Sequence, residues 1–177
     1  YLVQERFIFK PEKLASDFTF IYDAPFQELF FDVAPGVRIN GLHFHREDPL
    51  GLILYFHGNS RSIKGWAKYA ADFYRYGYDV VLVDYRGFGR STDAVPSEAL
   101  ADEDVHAAWD WLRREHPAQA RYVYGHSLGS AIAIRLASEV DDEAGVIVFG
   151  ENASIELSVA PTLGLRDVKS FVGGEAT

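Results

Sequence analysis

Short apolar runs alternate with longer amphipathic segments over most of the chain. The apolar runs are residues 50–56, 78–84, 121–124 and 145–149, and the amphipathic segments are residues 62–76, 96–116 and 128–139. Buried strands that alternate with crossover helices are typical of parallel α/β sheets. The pattern therefore predicts an α/β fold with a mostly parallel central sheet, right-handed crossovers and helices on both faces.

The pattern is different near the start of the chain. Residues 26–33 and 37–44 are separated by Ala34-Pro35-Gly36, and proline and glycine favour tight turns. We therefore expect an N-terminal antiparallel hairpin before the parallel strands.

The segment at residues 96–116 carries the strongest helix signals. Ser97 can cap its start, and Pro117 follows its end. Its apolar residues recur at spacings of three and four, so one face should pack on the sheet. These residues are Ala101, Val105, Ala108, Trp109 and Leu112.

The composition suits one globular domain, with 48% hydrophobic and 24% charged residues among 177. No repeat or linker is evident, so residues 1–177 are predicted to form a single domain. A net charge of −9 argues against a nucleic-acid partner, because proteins that bind nucleic acids normally carry a basic surface. The absence of cysteine excludes disulfides and thiolate metal sites, and it leaves the cellular compartment open.

The pentapeptide GHSLG at residues 125–129 is the main candidate for chemistry. It lies between a predicted strand and a predicted helix, which is the setting of a nucleophile elbow with Ser127 at its tip. Such a turn lifts a serine hydroxyl out of the fold, towards a base and an oxyanion site. Gly125 and Gly129 fit because strand and helix must approach closely there.

Two further motifs precede the elbow: HGN at residues 57–59 and DYRGFGRS at residues 84–91. Together with YGHSLGSA at 124–131, in this order, they resemble the α/β-hydrolase superfamily, and more narrowly its membrane-associated serine hydrolases. Residues 5–11 resemble the entry segment of that group. The resemblance implies cleavage of an ester or thioester of a small-molecule or acyl substrate, through an acyl-enzyme on Ser127. It also implies that no cofactor or metal is needed, and it allows membrane association through a segment outside this chain.

The resemblance also assigns the oxyanion hole, which needs two backbone donors worth about 3 kcal/mol each. One is the N–H of Leu128, and the other is placed at Asn59, with Ser60 as the alternative. Gly58 lets this loop come close. His57 is interpreted as a structural residue that shapes the loop, although the role of base stays open.

Two more residues of these motifs have structural interpretations. Asp84 ends a strand and begins a turn, so it is interpreted as a carboxylate that organises the loop, with triad acid as the alternative. The ring of His126 is expected to pack or to face solvent. His43 and His45 share one face of a strand, but two histidines without a carboxylate cluster in sequence do not predict a metal site.

The triad acid and base are harder to assign, because the fold orders them after the serine and no histidine follows His126. We expect that the C-terminal strands, with the acid and the base, belong to sequence beyond this chain. The lack of any methionine likewise leads us to expect a native start further upstream. A second hypothesis takes Glu151, or less favourably Asp167, as the acid with an upstream histidine as base. A third is a non-catalytic binding module that keeps the fold.

Overall fold

A six-stranded sheet forms the centre of the protein in a computed structural model that describes residues 9–150. Its strand order is β2-β3-β6-β4-β7-β8. The strands are β2 (Phe26–Ala34), β3 (Val37–Phe44), β4 (Leu52–Phe56), β6 (Asp79–Val83), β7 (Arg121–His126) and β8 (Gly145–Phe149). The last four are mutually parallel, whereas β3 pairs antiparallel with both β2 and β6. The predicted mostly parallel sheet with an N-terminal hairpin is confirmed.

Within residues 9–150, three helices cover the two faces of this sheet. They are α1 (Ile63–Arg75), α2 (Glu98–Glu115) and α3 (Leu128–Glu139). One apolar core contains the buried residues of α2 and α3, and a second contains those of α1. The sheet therefore separates two cores, as predicted. No helix within residues 9–150 is both long and apolar enough to cross a membrane.

The local signals at the turns and helix ends are also confirmed. The side chain of Ser97 accepts a hydrogen bond from the N–H of Leu100 (3.2 Å) and so caps α2. Gly36 turns the hairpin with a φ of +74°, a conformation that glycine adopts without strain. Ser62 is the N-cap position of α1.

Two details differ from the prediction. Strand β7 continues to His126, so it extends two residues further into the GHSLG motif than residues 121–124. The chain also contains a small parallel pair, β1 (Lys10–Pro11) with β5 (Ser60–Arg61). Two-residue strands have no measurable periodicity, which is why the pattern of hydrophobic residues did not predict them.

Candidate functional site

The three sequence motifs meet at one edge of the sheet. Phe56 of β4 pairs in register with Val83 of β6 on one side and with Gly125 of β7 on the other. Because these strands are parallel, the segments that follow them emerge at the same edge. HGN follows β4, DYRGFGRS follows β6, and Ser127 follows β7, so topology brings together residues that are far apart in sequence.

Ser127 lies in the turn between β7 and α3, at the N-cap position of the helix. Its φ is +54° and its ψ is −116°, which is unusual for a residue with a side chain and costs about 1–3 kcal/mol. Its N–H donates to the carbonyl of Phe149 at the end of β8 (2.7 Å), and its own carbonyl accepts from the N–H of Ser130 (2.9 Å). The neighbouring strand and the helix therefore hold the strained turn in place.

The two glycines of the motif lie where no side chain would fit. A Cβ on Gly125 would be 2.2 Å from the carbonyl oxygen of Gly129. A Cβ on Gly129 would be 2.2 Å from the carbonyl oxygen of Phe56 and 2.8 Å from that of His57. The start of α3 therefore packs directly on the backbone where β4 leads into the HGN motif.

The loop after β4 lies against the elbow. A Cβ on Gly58 would be 3.6 Å from the carbonyl oxygen of His126. The carbonyl of Asn59 accepts from the N–H of Lys10 (2.7 Å), which ties this loop to the β1–β5 pair. Leu128 is the first residue of α3, so its N–H has no acceptor within the helix. The loop after β4 and the elbow are therefore neighbours, through Gly58 beside His126 and Gly129 beside Phe56 and His57.

His57 is fully buried and lies next to Asp84, which is also fully buried. Its Nδ1 is 2.6 Å from the carbonyl oxygen of Gly58, so Nδ1 carries the proton and donates. Its Nε2 is 3.0 Å from Oδ1 of Asp84, within ion-pair distance although the two atoms are not aligned for a hydrogen bond. Burial raises the pKa of Asp84, and the neighbouring His57 opposes that rise.

Asp84 also binds the start of α1. Its Oδ1 accepts the N–H of Ile63 (2.9 Å), one of the first amides of that helix. The hydroxyl of Tyr85 donates to the carbonyl of His57 (2.9 Å). Asp84 and Tyr85 therefore join the loop after β6 to the loop after β4, which is the organising position that the sequence predicts for Asp84.

Arg86 of the DYRGFGRS segment is fixed to α2 by a residue that sequence reasoning missed. Asp104 accepts from the backbone N–H of Arg86 (2.7 Å) and from its Nε (2.6 Å). Burial raises the pKa of Asp104 to about 6, while its bonds with Arg86 oppose the rise. A signal was present, because Asp104 is a carboxylate on the apolar face that Ala101 and Ala108 share.

The ring of His126 packs among aromatic side chains, as expected. It lies 4.8 Å from the ring of Trp66, 5.9 Å from that of Tyr69 and 5.0 Å from that of Phe149. Sequence reasoning did not single out Trp66 or Tyr69, whose helical spacing on α1 predicts only packing against the sheet.

The other histidines lie away from the nucleophile turn. His43 is 3.3 Å from Asp79, which begins β6 at the opposite edge of the sheet, and its ring also contacts the rings of His45 and His116. His106 on α2 is 3.0 Å from Glu139.

Among the described residues, one group has the close grouping of atoms that a metal ion needs, namely Asp102, His106 and Glu139. Arg135 lies 2.9 Å from Asp102 and 3.4 Å from Glu139, so its guanidinium already neutralises these carboxylates. Glu151 and Asp167 lie outside the described residues.

A family model described as serine aminopeptidase, S33, matches residues 47–172. The chain belongs to this family. Lysophosphatidylserine lipase ABHD12 of Gallus gallus is 37% identical over 98 residues, which cover 51% of this chain and 25% of that protein. Protein bem46 of Schizosaccharomyces pombe is 32% identical over 115 residues, which cover 63% of this chain and 38% of that protein. The aligned region thus spans about a quarter to two fifths of the length of these relatives.

Solved structures agree on the fold of this S33 family member. A thermostable carboxyl esterase of Bacillus coagulans superposes with a TM-score of 0.60 at 23% identity, covering 72% of this chain and 44% of that protein. The resemblance to α/β-hydrolases that the three motifs indicate is therefore confirmed. The roles of individual residues at the site stay predictions.

Proposed function

We propose that this chain carries the nucleophile and the oxyanion hole of a serine hydrolase that cleaves carboxylic esters or thioesters of small-molecule or acyl substrates. One observation carries the proposal: the strained Ser127 turn lies beside the Gly58-Asn59 loop, where a Cβ on Gly58 would be 3.6 Å from the carbonyl oxygen of His126. Lipase and esterase relatives support this function over a non-catalytic binding module. We also propose that residues 1–177 belong to one domain.

The proposed reaction begins when the hydroxyl oxygen of Ser127 attacks the carbonyl carbon of the substrate. Its proton passes to a general base, and negative charge develops on the carbonyl oxygen. The N–H groups of Leu128 and Asn59 are proposed to bind that oxygen, because preorganised amides stabilise it without reorganisation. The leaving group departs with a proton, and water then hydrolyses the acyl-enzyme and restores the serine.

The general base and its carboxylate are proposed to lie outside residues 9–150. Within that part of the chain, the histidines paired with carboxylates hold structural positions: His57 organises a buried loop, while His43 and His106 lie away from the turn. Glu151 is the candidate for the acid under the second hypothesis, in which an upstream histidine serves as the base. Glu151 follows the end of β8, where the carbonyl of Phe149 contacts the elbow.

Membrane association through a segment outside this chain is also proposed. It is supported by the sequence resemblance and by the name of the lysophosphatidylserine lipase relative, whose substrate is a lipid. Sedimentation of the full-length protein with phosphatidylcholine vesicles tests this point, and recovery of all the protein in the supernatant would contradict it.

The nucleophile is tested by labelling the full-length protein with a fluorophosphonate, followed by peptide mass spectrometry. We expect the label on Ser127, and we expect Ser127→Ala to lose labelling and at least about 10⁴-fold in kcat for p-nitrophenyl butyrate. Ser138→Ala is a matched control, because Ser138 is an exposed serine on α3. Equal labelling of Ser127→Ala and the wild type would refute the proposal and favour the binding module.

The oxyanion donor can be removed by one substitution. Leu128 is the first residue of α3, a helix position that tolerates proline, so Leu128→Pro deletes the N–H. Because proline also restricts the backbone of Ser127, the variant must still label with fluorophosphonate at Ser127. We expect kcat to fall about 10²–10³-fold. Leu128→Ala keeps the N–H and should retain most of the activity. Equal kcat values for these two variants would exclude this amide from the oxyanion hole.

A further inference from the structure

Trp66 on α1 contacts both loops that form the candidate oxyanion hole. It is 9% exposed. Its indole N–H donates to the carbonyl of Ser60 (2.8 Å), and its ring lies nearly parallel to that of His57, 6.1 Å away at 18°. The indole ring also lies 4.8 Å from the ring of His126. One side chain thus connects the loop after β4 with the elbow after β7.

Gly58 allows this contact. A Cβ at Gly58 would be 3.1 Å from the indole ring and 3.6 Å from the carbonyl oxygen of His126. A side chain at residue 58 would therefore press on the indole ring, and glycine lets the loop pack closely on Trp66.

The distance between these two loops decides whether an oxyanion hole works. Its donors must both lie about 2.7–3.1 Å from one oxygen atom, and here they come from separate loops. Asn59 lies between Gly58, where a Cβ would be 3.1 Å from the indole ring, and Ser60, whose carbonyl accepts the indole N–H. Leu128 lies two residues after His126, which the same indole contacts.

We propose that Trp66 is a positioning residue of the oxyanion hole, and that it sets the distance between the amides of Asn59 and Leu128. This inference rests on the proposed serine hydrolase function. The proposed role is indirect, because Trp66 itself does not touch the substrate carbonyl. Its indole keeps the two donors in place while charge develops on the substrate oxygen.

A tryptophan that only packs in the core should affect stability and leave kcat unchanged. Trp109 on α2 offers the matched comparison, since it is also a buried tryptophan and its indole N–H also donates, to Asp142 (3.2 Å). It belongs to the core on the other face, among residues of α2, α3 and the strands. Loss of either indole should therefore affect stability, but only loss of the Trp66 indole should affect the chemical step.

The test compares Trp66→Phe with Trp109→Phe in the full-length protein, with p-nitrophenyl butyrate as substrate and thermal unfolding as the measure of folding. Trp66→Phe keeps an aromatic ring but removes the N–H bond to Ser60. We expect a fall in kcat of about 3–10-fold with KM within about twofold of the wild type. We expect Trp109→Phe to keep the kcat and KM of the wild type.

A larger truncation sharpens the test. Trp66→Leu also removes the contacts with His57 and His126, and we expect a fall in kcat of about 10²-fold, because a small misplacement at a reacting centre has effects of that size. Trp66→Phe keeps the proposal testable if Trp66→Leu does not fold.

Two results would overturn the positioning role while Ser127 still labels with fluorophosphonate. One is an unchanged kcat in Trp66→Phe, and the other is an equal fall in kcat in Trp66→Phe and Trp109→Phe. A wild-type protein that neither labels nor hydrolyses the ester would instead refute the proposed function, and the positioning role with it.

Discussion

Two buried His–Asp pairs lie at opposite ends of the same strand. At the end of β6, Asp84 is 3.0 Å from His57, and at its start, Asp79 is 3.3 Å from His43. All four side chains are buried. A list of residue types and distances would not distinguish one pair from the other.

Even their backbone contacts are alike. Asp84 accepts the N–H of Ile63 (2.9 Å), and Asp79 accepts the N–H of Arg46 (3.0 Å). The difference lies in what surrounds them. The His57 pair adjoins two motif loops and the Ser127 turn, whereas the His43 pair packs against the ring of His116. A His–Asp pair is therefore no evidence of a catalytic site unless its place in the topology brings it to a nucleophile.

The largest expected effect on stability and activity comes from adding a methyl group at Gly129, at the end of the sheet where the three motifs meet. In Gly129→Ala the new Cβ would lie 2.2 Å from the backbone oxygen of Phe56, and we expect a loss of about 3 kcal/mol in the free energy of unfolding together with loss of ester hydrolysis. Gly51→Ala, at the other edge, would place its Cβ 2.9 Å from the oxygen of Ala120 and should cost less. Urea unfolding and kcat measure both. A larger loss of stability in Gly51→Ala would contradict this comparison of the edges.

A smaller effect separates the two aspartates. Asp84→Asn and Asp79→Asn each weaken contacts with a buried histidine and a backbone amide, so each should lose about 1–3 kcal/mol of stability. Only Asp84→Asn should also lower kcat, by about tenfold, because Asp84 organises the loop that carries Asn59. Kinetics at a temperature where both variants remain folded provide the measurement. An equal fall in kcat in both variants would mean that Asp84 supports catalysis no more than Asp79 does.

The smallest expected effect is on the pH dependence of stability, through His116 at the opposite end of the sheet. Burial, and then the neighbouring His43, lower the pKa of His116, while Asp79 and Glu115 oppose this shift. The unfolded chain therefore binds a proton at His116 more readily, from about pH 6.5 downward. The stability that the neutral ring contributes is present above that pH and is lost as pH falls through the folded pKa. His116→Gln should flatten this part of the stability curve, measured by urea unfolding between about pH 7.5 and 5. If the free energy of unfolding of His116→Gln changed with pH as steeply as that of the wild type, the lowered pKa of His116 would be contradicted.

Local sequence predicted the elements and their ends well. Ser97 caps α2 because its side chain reaches an amide three residues away, and Gly36 turns the hairpin because its own backbone allows it. The turn at Ser127 was predicted for a similar reason, since Gly125 and Gly129 flank it within one motif. Interactions of this kind join residues close in sequence, so the sequence pattern can predict them.

Contacts between distant segments were not predicted. Trp66 has the same pattern as any apolar residue on α1, yet it contacts residues at 57, 60 and 126. Asp104 is distinguished in the sequence only as a carboxylate on the apolar face of α2, and the fold decides that Arg86 is its partner.

The sequence by itself determined the alternating strands and helices, the hairpin and the strained serine turn, because short-range periodicity and turn chemistry specify them. Only the tertiary structure decided which histidine lies beside the nucleophile edge, and that Trp66 connects the two loops there. Those facts depend on strand order and register, which bring residues tens of positions apart into contact and leave no trace in local spacing.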